Sequence, residues 1–401
     1  MPGPLEGVRV VDWTIWQQGP VASAMLADLG ADVIKIESLD GGDPGRGLVQ
    51  IQGTQVQANF YFEGLNRGKK SIALDLKKPE AREVMYRLIA KSDVFVQNFR
   101  KGVAGRLGLG YEDLRRHNEK LIYASATGYG PEGPDSAEPS FDQLGLARSG
   151  IMFAAGEPDM DPQAIGGGIA DQMGAVMLAY GVLAALIARE KHGIGQQVDG
   201  SHLGSMAWLQ GLSMSARLVN GAAFPRTFRK AAGNPLWNHY KCADGNWIAL
   251  GMLQSDRYWS DFTKAIERPE LGTDARFADM GARATNAEAC VSELDAAFAT
   301  RPRGEWMQIL HEGGDFIFTI VNTLDDLEDD PQMQANGYIT EIPHPEFGTL
   351  KYLGCPVNLS ETPGEVREPA PELGQHTELL LTEELGYSWD DITALREQGV
   401  I

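Results

Sequence analysis

Through the first 130 residues, short unbroken apolar runs alternate with stretches in which apolar residues recur at helical spacing. Val8 to Trp13 (VRVVDW) has the length of a buried strand, Pro20 to Leu29 reads as a helix that stops at Gly30, and Val33 to Ile36 (VIKI) is a second strand. The alternation continues with strands at Ser71 to Leu74, Val94 to Gln97 and Leu121 to Ser125, and a helix from Pro79 to Ala90 with proline in its first turn. Repeated β-α-β units predict an α/β fold around an open, mostly parallel sheet, with ligands bound beyond the carboxyl ends of its strands.

The most strongly patterned stretch is Ala164 to Glu190, AIGGGIADQMGAVMLAYGVLAALIARE. Three glycines lead into a long apolar periodicity that predicts a helix, with Asp171 at or beside its N-terminus. As an N-cap, Asp171 would accept backbone N–H bonds. As a nucleophile, it would use the charge that a helix N-terminus favours and the room that glycines leave for a bulky electrophile. Local pattern alone leaves both readings open. The apolar run Val176 to Ala188 is too short to span a bilayer and reads as a buried helix.

Beyond Gly195 a short strand leads into an apolar helix, and residues 225 to 235 (PRTFRKAAGNP) read as a domain linker or lid. Tyr240 to Leu250 predicts a β-hairpin turning at Asp244-Gly245, followed by helices at Trp259 to Ile266 and Glu288 to Phe298, which together suggest a small α+β domain. The expected boundaries are 1–205 for a large domain, 206–225 for a linking helical region, 226–325 for the small domain, and 326–401 for a return to the large one. The chain ends in an acidic-surfaced helix, Trp389 to Gln398.

With 401 residues and 43% hydrophobic content the chain can bury a sizeable core. A formal charge of −20 argues against nucleic acid or an anionic membrane as a partner, so an anionic ligand has to be met by a few placed cations. The three cysteines are far apart and form no CxxC pair, and MPGPLEGVRVVD lacks the pattern of a signal peptide, so the expectation is a cytoplasmic protein without a metal site.

The loop from 38 to 70 is long for a connector and holds GGDPGRG with Arg46 at its centre. Such a segment could close over a phosphate, though a solvated turn is the commoner outcome. GLNRGKKS falls one residue short of a P-loop and precedes a strand instead of following one, and no GxGxxG follows the first strand. No GxSxG or HExxH occurs. His202 follows a strand and could face a cleft, although a satisfied core histidine is more usual. Lys77, Arg46, Arg100 and Arg106 stand beside strand ends, where each taken alone reads as a surface charge. Trp13, Trp16 and Trp208 hint at a pocket for a larger acid, with core packing the simpler explanation.

Several segments together resemble the class III CoA-transferases. They are LEGVRVVDWTIWQQGPVASAMLADLGADVIKIES, GGDPGRG, NRGKKSIALDLKKPEAR, DVFVQNFRKGVAGRLGLGYEDL, ADQMGAV, GIGQQVDGS and the ending GQHTELLLTEELGYSWDDITALREQGVI, in the family's order over nearly the whole chain. That family includes formyl-CoA transferase and carnitine CoA-transferase, and also the α-methylacyl-CoA racemases. The resemblance implies a Rossmann-like large domain built from both ends of the chain, a smaller inserted domain and an interlocked dimer, with a homodimer favoured and a heteromer possible in principle. It implies Asp171 as the catalytic aspartate, Gln17 beside the reacting thioester, and Lys77, Asn98, Phe99, Arg106 and Arg46 as residues that hold coenzyme A. Trp16, Phe141 and His202 are implied to line the substrate pocket.

Two departures stand out: Ser38 replaces a basic residue after the second strand, and Ala231 to Pro235, matching a glycine-rich flap, holds one glycine. The racemases of the family carry a histidine before an aspartate where this chain has Phe141 before Asp142, which disfavours racemase chemistry. The implied reaction moves CoA from an acyl-CoA donor to a free carboxylic acid through an aspartyl-acyl anhydride and an aspartyl-CoA thioester. It calls for no metal or redox cofactor, and Gln17 and backbone N–H groups are the candidate oxyanion donors, each worth about 3 kcal/mol. Two alternatives are an acyl-CoA racemase or isomerase on the same scaffold, and a catalytically silent CoA-binding subunit in which Asp171 only caps its helix.

Overall fold

The computed structural model describes residues 2–48 and 58–401. Six parallel strands form one sheet: β1 (Arg9–Trp13), β2 (Asp32–Glu37), β3 (Lys69–Ala73), β4 (Val94–Gln97), β5 (Ile122–Thr127) and β6 (Gln196–Ser201). Their order is β3-β2-β1-β4-β5-β6, so the winding reverses between β1 and β4. At such a reversal the loops leaving the two central strands diverge and open a crevice at the carboxyl edge.

The central strands carry apolar residues toward both faces, where two cores cover the sheet. Val11, Ile34, Ile72 and Phe95 point into one core with Val84, Met85 and Leu88, and with Leu381, Ile392 and Leu395 from the C-terminal segment. Val10, Val33, Val94 and Ile122 point into the other, against Val21 and Leu26 and against Leu178, Val182 and Leu186. The helices that matter for the site are α1 (Gln18–Asp28), α2 (Phe60–Asn66), α3 (Pro79–Ile89), α4 (Val103–Arg106), α5 (Tyr111–Arg115), α6 (Asp142–Ser149), α7 (Ile169–His192), α8 (His202–Leu209) and α9 (Gly211–Asn220). Helix α1 ends as expected at Gly30, whose φ of 100° lets the amides of Gly30 and Ala31 turn back onto the carbonyls of Ala27 and Leu26.

Three expectations change. Helix α7 runs for 24 residues, well past the apolar run, and by length and composition alone it could cross a membrane; here Ala175, Leu178, Val182 and Ala185 bury it against the sheet. Residues 206–225, expected as a linking helical region, hold the second half of α8 and all of α9. The loop from 38 to 70 contains a 3₁₀ turn, Pro44–Gly47, and α2; residues 49–57 of that loop lie outside the described residues. The hairpin turn is longer than Asp-Gly, with the Cys242 amide bonded to the Asn246 carbonyl.

The chain divides into two compact units, one comprising residues 1–152, 164–223 and 334–401, the other residues 153–163 and 224–333. The second unit is built on an antiparallel sheet of β7 (Trp237–Lys241), β8 (Trp247–Gly251) and β9 (Phe318–Val321), with Trp259, Phe262, Phe298 and Trp306 in its core. The 225–235 stretch is anchored in this unit: Arg229 pairs with Asp295 at 2.8 Å and Asn234 donates to the Met252 and Leu253 carbonyls.

Beneath the carboxyl edge of the first sheet lies a fully buried ionic network. Lys69 Nζ meets Asp12 at 2.8 Å and Lys35 Nζ meets Asp43 at 2.9 Å, while Lys35 also donates to the Thr14 carbonyl at 2.9 Å. Burial by itself pushes the Asp12 carboxyl up, but the charges of Lys69 and Lys35 outweigh it and hold Asp12 below the ordinary carboxylate range. Burial pulls Lys69 down to about 8. Removing one partner leaves a buried charge uncompensated, so Lys69→Met is expected to lower unfolding free energy by about 3–5 kcal/mol, with Asp12→Asn added in the double variant recovering part of it. Urea unfolding of the three variants measures this. Because Asp12 and Glu37 are both held low, their stabilising contribution is complete above the ordinary carboxylate range, about 4, and is lost as the pH falls through their lower folded values. An acid titration of the unfolding midpoint tests the sign.

Candidate functional site

A cavity of about 370 Å³ opens at the reversal point. Its walls come from the turn after β1 (Ile15, Trp16, Gln18), the loop after β4 (Asn98 to Lys101), the segment after β5 (Thr127, Gly128, Ser140, Phe141) and α2 (Tyr61), with Asp171 and His202 also lining it. A smaller cavity of about 200 Å³ shares Phe99, Arg100, Lys101, Thr127 and Ser136 and continues toward Gln197 and Asp199.

Asp171 is the third residue of α7 and is not its N-cap. The cap position is Gly168, with φ 71°, and the amides of Ala170 and Asp171 are taken by the carboxylate of Asp142 at 2.6 and 3.2 Å. The capping duty that an aspartate in this position could perform is carried out by one 29 residues away, at the start of α6. The Asp171 side chain is therefore turned to the cavity, where among the described residues its hydrogen-bond partner is His202 Nε2, 2.9 Å from Oδ1. His202 is buried and its other ring nitrogen lies 3.2 Å from Ser140 Oγ. It is a satisfied buried histidine, as the simpler reading had it, and its partner is the candidate nucleophile.

The turn that carries Gln17 is tightly held. Asn98 accepts the Ile15 amide at 2.9 Å and donates to the Ile15 carbonyl at 2.6 Å, and Asp43 accepts the Trp16 amide at 3.1 Å. Trp16 has φ 65°, a left-handed conformation costly for an aromatic residue, which its surroundings over-determine. Gln17 Nε2 donates to the Gly168 carbonyl at 3.2 Å, an approach only glycine permits, because a Cβ there would sit 2.3 Å from the amide oxygen. Gln18 lines the cavity, and among the described residues its buried Nε2 has no hydrogen-bond partner.

The remaining residues divide. Asn98, Phe99, Trp16 and Phe141 line the cavity, with Trp16 and Phe141 edge to face at 6.1 Å. Lys77, in the turn before α3, and Arg106, at the end of α4, are exposed and are not among its lining residues. Arg46 is neither a solvated charge nor turned to the cavity: Nε and one terminal nitrogen of its guanidinium bond the two Glu37 oxygens at 2.8 Å, and it caps the Phe62 ring at 3.7 Å. Trp13 packs on Phe99 in the core, and Trp208 is exposed. Ser38 closes a local turn with the Asp40 amide. Sequence reasoning did not find Tyr61, Ser140 or the role of Asp142. Burial, together with the charges of Asp171 and Asp43, pushes the Tyr61 phenol up, so it faces the cavity as a neutral hydroxyl. Among the described residues no group of three or more His, Cys, Asp or Glu side chains could hold a metal ion.

The family model for CoA-transferase family III matches residues 5–377. The chain belongs to that family. A succinyl-CoA–D-citramalate CoA-transferase of Chloroflexus aurantiacus is 33% identical over 100% of this chain and 98% of its own. A formyl-CoA:oxalate CoA-transferase of Streptomyces coelicolor is 33% identical over 99% of each. Among solved structures, a CaiB/BaiF family protein from Brucella suis superposes with a TM-score of 0.85 at 30% identity, covering 96% of this chain and all of that one. The protein is thus an enzyme of family III, whose substrates are CoA thioesters.

Because Asp142 caps α7, Asp142→Ala is expected to lower stability by about 1–2 kcal/mol while Asp142→Asn, which keeps an acceptor oxygen, loses less. Chemical denaturation of both variants checks this.

Proposed function

We propose that this enzyme transfers CoA from an acyl-CoA donor to a free carboxylic acid, with Asp171 as the covalent nucleophile. The observation that carries the reading is that Asp171 stands in the first turn of α7 facing a cavity, while Asp142 takes the helix amides that would otherwise hold it. A carboxylate bound by its own helix would be a poor attacking group; this one keeps Oδ2 for the substrate.

Asp171 attacks the donor thioester and expels the CoA thiolate, leaving an aspartyl-acyl anhydride. The thiolate then attacks the aspartyl carbonyl, releasing the donor acid and forming an aspartyl-CoA thioester. The acceptor carboxylate attacks that thioester and the two steps run in reverse, so that acyl-CoA leaves and Asp171 is restored. Gln17, whose amide has a second N–H beyond the one on Gly168, is the candidate donor toward the substrate carbonyl. We assign Asn98 and Phe99, which line the cavity, to contact with CoA, and Lys77 and Arg106 to its phosphates from the exposed carboxyl edge of the sheet.

Racemisation is disfavoured for a geometric reason. An imidazole does meet Asp171, but the two are joined to each other at 2.9 Å, whereas an acid/base pair that inverts a centre flanks its opposite faces. The relatives described above are named for succinyl-CoA and formyl-CoA, which makes these the donors to test first. A dimer is supported by α9, none of whose residues is buried and whose Leu212, Leu218 and Val219 are more than three-quarters exposed. We take the covering surface to be a second copy of the chain.

Brief incubation with succinyl-CoA or formyl-CoA, followed by intact mass spectrometry, is expected to reveal a covalent CoA adduct that maps to the Asp171 peptide. Asp171→Asn is expected to form none and to lose turnover while its unfolding free energy stays within about 0.5 kcal/mol of wild type, because the cap belongs to Asp142. Wash-in of deuterium at the substrate α-carbon without CoA transfer would instead establish the racemase.

A further inference from the structure

The contact between Asp171 and His202 has a direction. An aspartate carboxylate only accepts hydrogen bonds, so the 2.9 Å approach of Nε2 to Oδ1 assigns the ring proton to Nε2. In the neutral ring Nδ1 is then an acceptor, with the Ser140 hydroxyl 3.2 Å away as its partner. The pair is built into the fold at two glycines. A Cβ on Gly128 would lie 2.2 Å from Ser140 Cβ, and one on Gly145 would lie 2.9 Å from His202 Cβ, so neither position admits a side chain without moving the relay. His202 opens α8 with its side chain almost wholly buried, and both ring nitrogens are engaged, which leaves the imidazole one orientation.

We propose that His202 is the oxyanion donor for the steps in which the carbonyl carbon of Asp171 is itself attacked, and that it keeps Oδ1 in place throughout turnover so that only Oδ2 exchanges. This rests on the covalent reading given above. In the first step Oδ2 bonds to the donor acyl carbon, the carbon–sulfur bond breaks and the CoA thiolate leaves; Oδ1 becomes the carbonyl oxygen of the aspartyl half of the anhydride. The thiolate then adds to the aspartyl Cγ, and the electron pair of that carbonyl moves onto Oδ1, where the His202 N–H already points. Collapse breaks the bond from Cγ to Oδ2, and the donor acid departs carrying Oδ2 as one of its carboxylate oxygens. When the acceptor acid attacks the aspartyl-CoA thioester, negative charge again develops on Oδ1, the thiolate leaves, and an acceptor oxygen takes the Oδ2 position. No proton changes hands, and His202 donates one hydrogen bond that strengthens in each tetrahedral intermediate. Ser140 acts through His202, as a positioning residue.

The consequence is an atom count. Wild-type enzyme is incubated for many turnovers with an acyl-CoA and the same acid carrying ¹⁸O at every carboxylate oxygen, using succinyl-CoA with succinate, formyl-CoA with formate, and acetyl-CoA with acetate. The Asp171 peptide is then weighed. One label per Asp171 side chain is expected, because Oδ2 is replaced from the acid and Oδ1 is retained. In His202→Leu the carboxylate is free to rotate, and the expectation is two labels with kcat lowered about 100-fold and KM for the thioester little changed. His202→Gln restores an N–H near Oδ1 and is expected to return to one label with part of the rate regained. Two labels in wild type, or one label in His202→Leu, would overturn the proposal and leave covalent catalysis by Asp171 standing. No label with any of the three pairs would overturn both. The wild-type count and the glutamine variant decide the matter should the leucine variant fail to fold.

Discussion

The N-terminus of α7 is held by a carboxylate that does not belong to it, and the arrangement of the site follows from that. Helix amides in the first turn need acceptors, and an aspartate three residues in is well placed to answer them. Had Asp171 done so, its oxygens would be stabilised where they stand and turned along the helix. With Asp142 on the amides of Ala170 and Asp171, the side chain of Asp171 is released toward the cavity, and the His202 imidazole binds one of its oxygens. Two neighbouring aspartates thus divide one electrostatic environment, one holding the helix amides and the other facing the cavity.

The opposite wall of the cavity is rigid for a different reason. The winding of the sheet reverses between β1 and β4, so the turn after β1 emerges with open space beside it. That turn contains a tryptophan at φ 65°, a conformation that costs about 1–3 kcal/mol and persists only under constraint. The constraints are visible: Asn98 bonds both polar groups of Ile15, Asp43 takes the Trp16 amide, and Lys35 ties Asp43 to the Thr14 carbonyl from beneath. Ion pairs buried this deeply contribute little net stability against apolar packing, and their use here is to define one conformation of the turn that carries Gln17.

Much of the fold was legible along the chain. The strands β1 to β5 and helices α1 and α3 fall where apolar periodicity and the markers Gly30 and Pro79 put them, and parallel pairing followed from their alternation. The helix read within Ala164 to Glu190 is α7, which runs only two polar residues further, to His192. Arg46 was not legible, since a glycine-rich loop with one arginine has the same appearance whether the cation is solvated, faces a phosphate or bonds a glutamate nine residues back.

What the sequence by itself determined was the layered α/β architecture, membership of a family through motifs spread over the whole chain, and a short set of residues containing Asp171, Asn98, Phe99 and His202. The architecture is a property of local pattern, while the family and the residues beyond Asp171 and His202 came from the resemblance of whole segments. Only the tertiary structure decided which aspartate caps α7 and which is free, that the histidine 31 residues beyond Asp171 meets its carboxylate, and that Ser140 and Tyr61 belong to the same cavity. The physical reason is that each of these is a hydrogen bond or a wall between groups far apart in sequence. Its geometry is set by how β5, α6, α7 and α8 pack together, and no run of neighbouring residues records that.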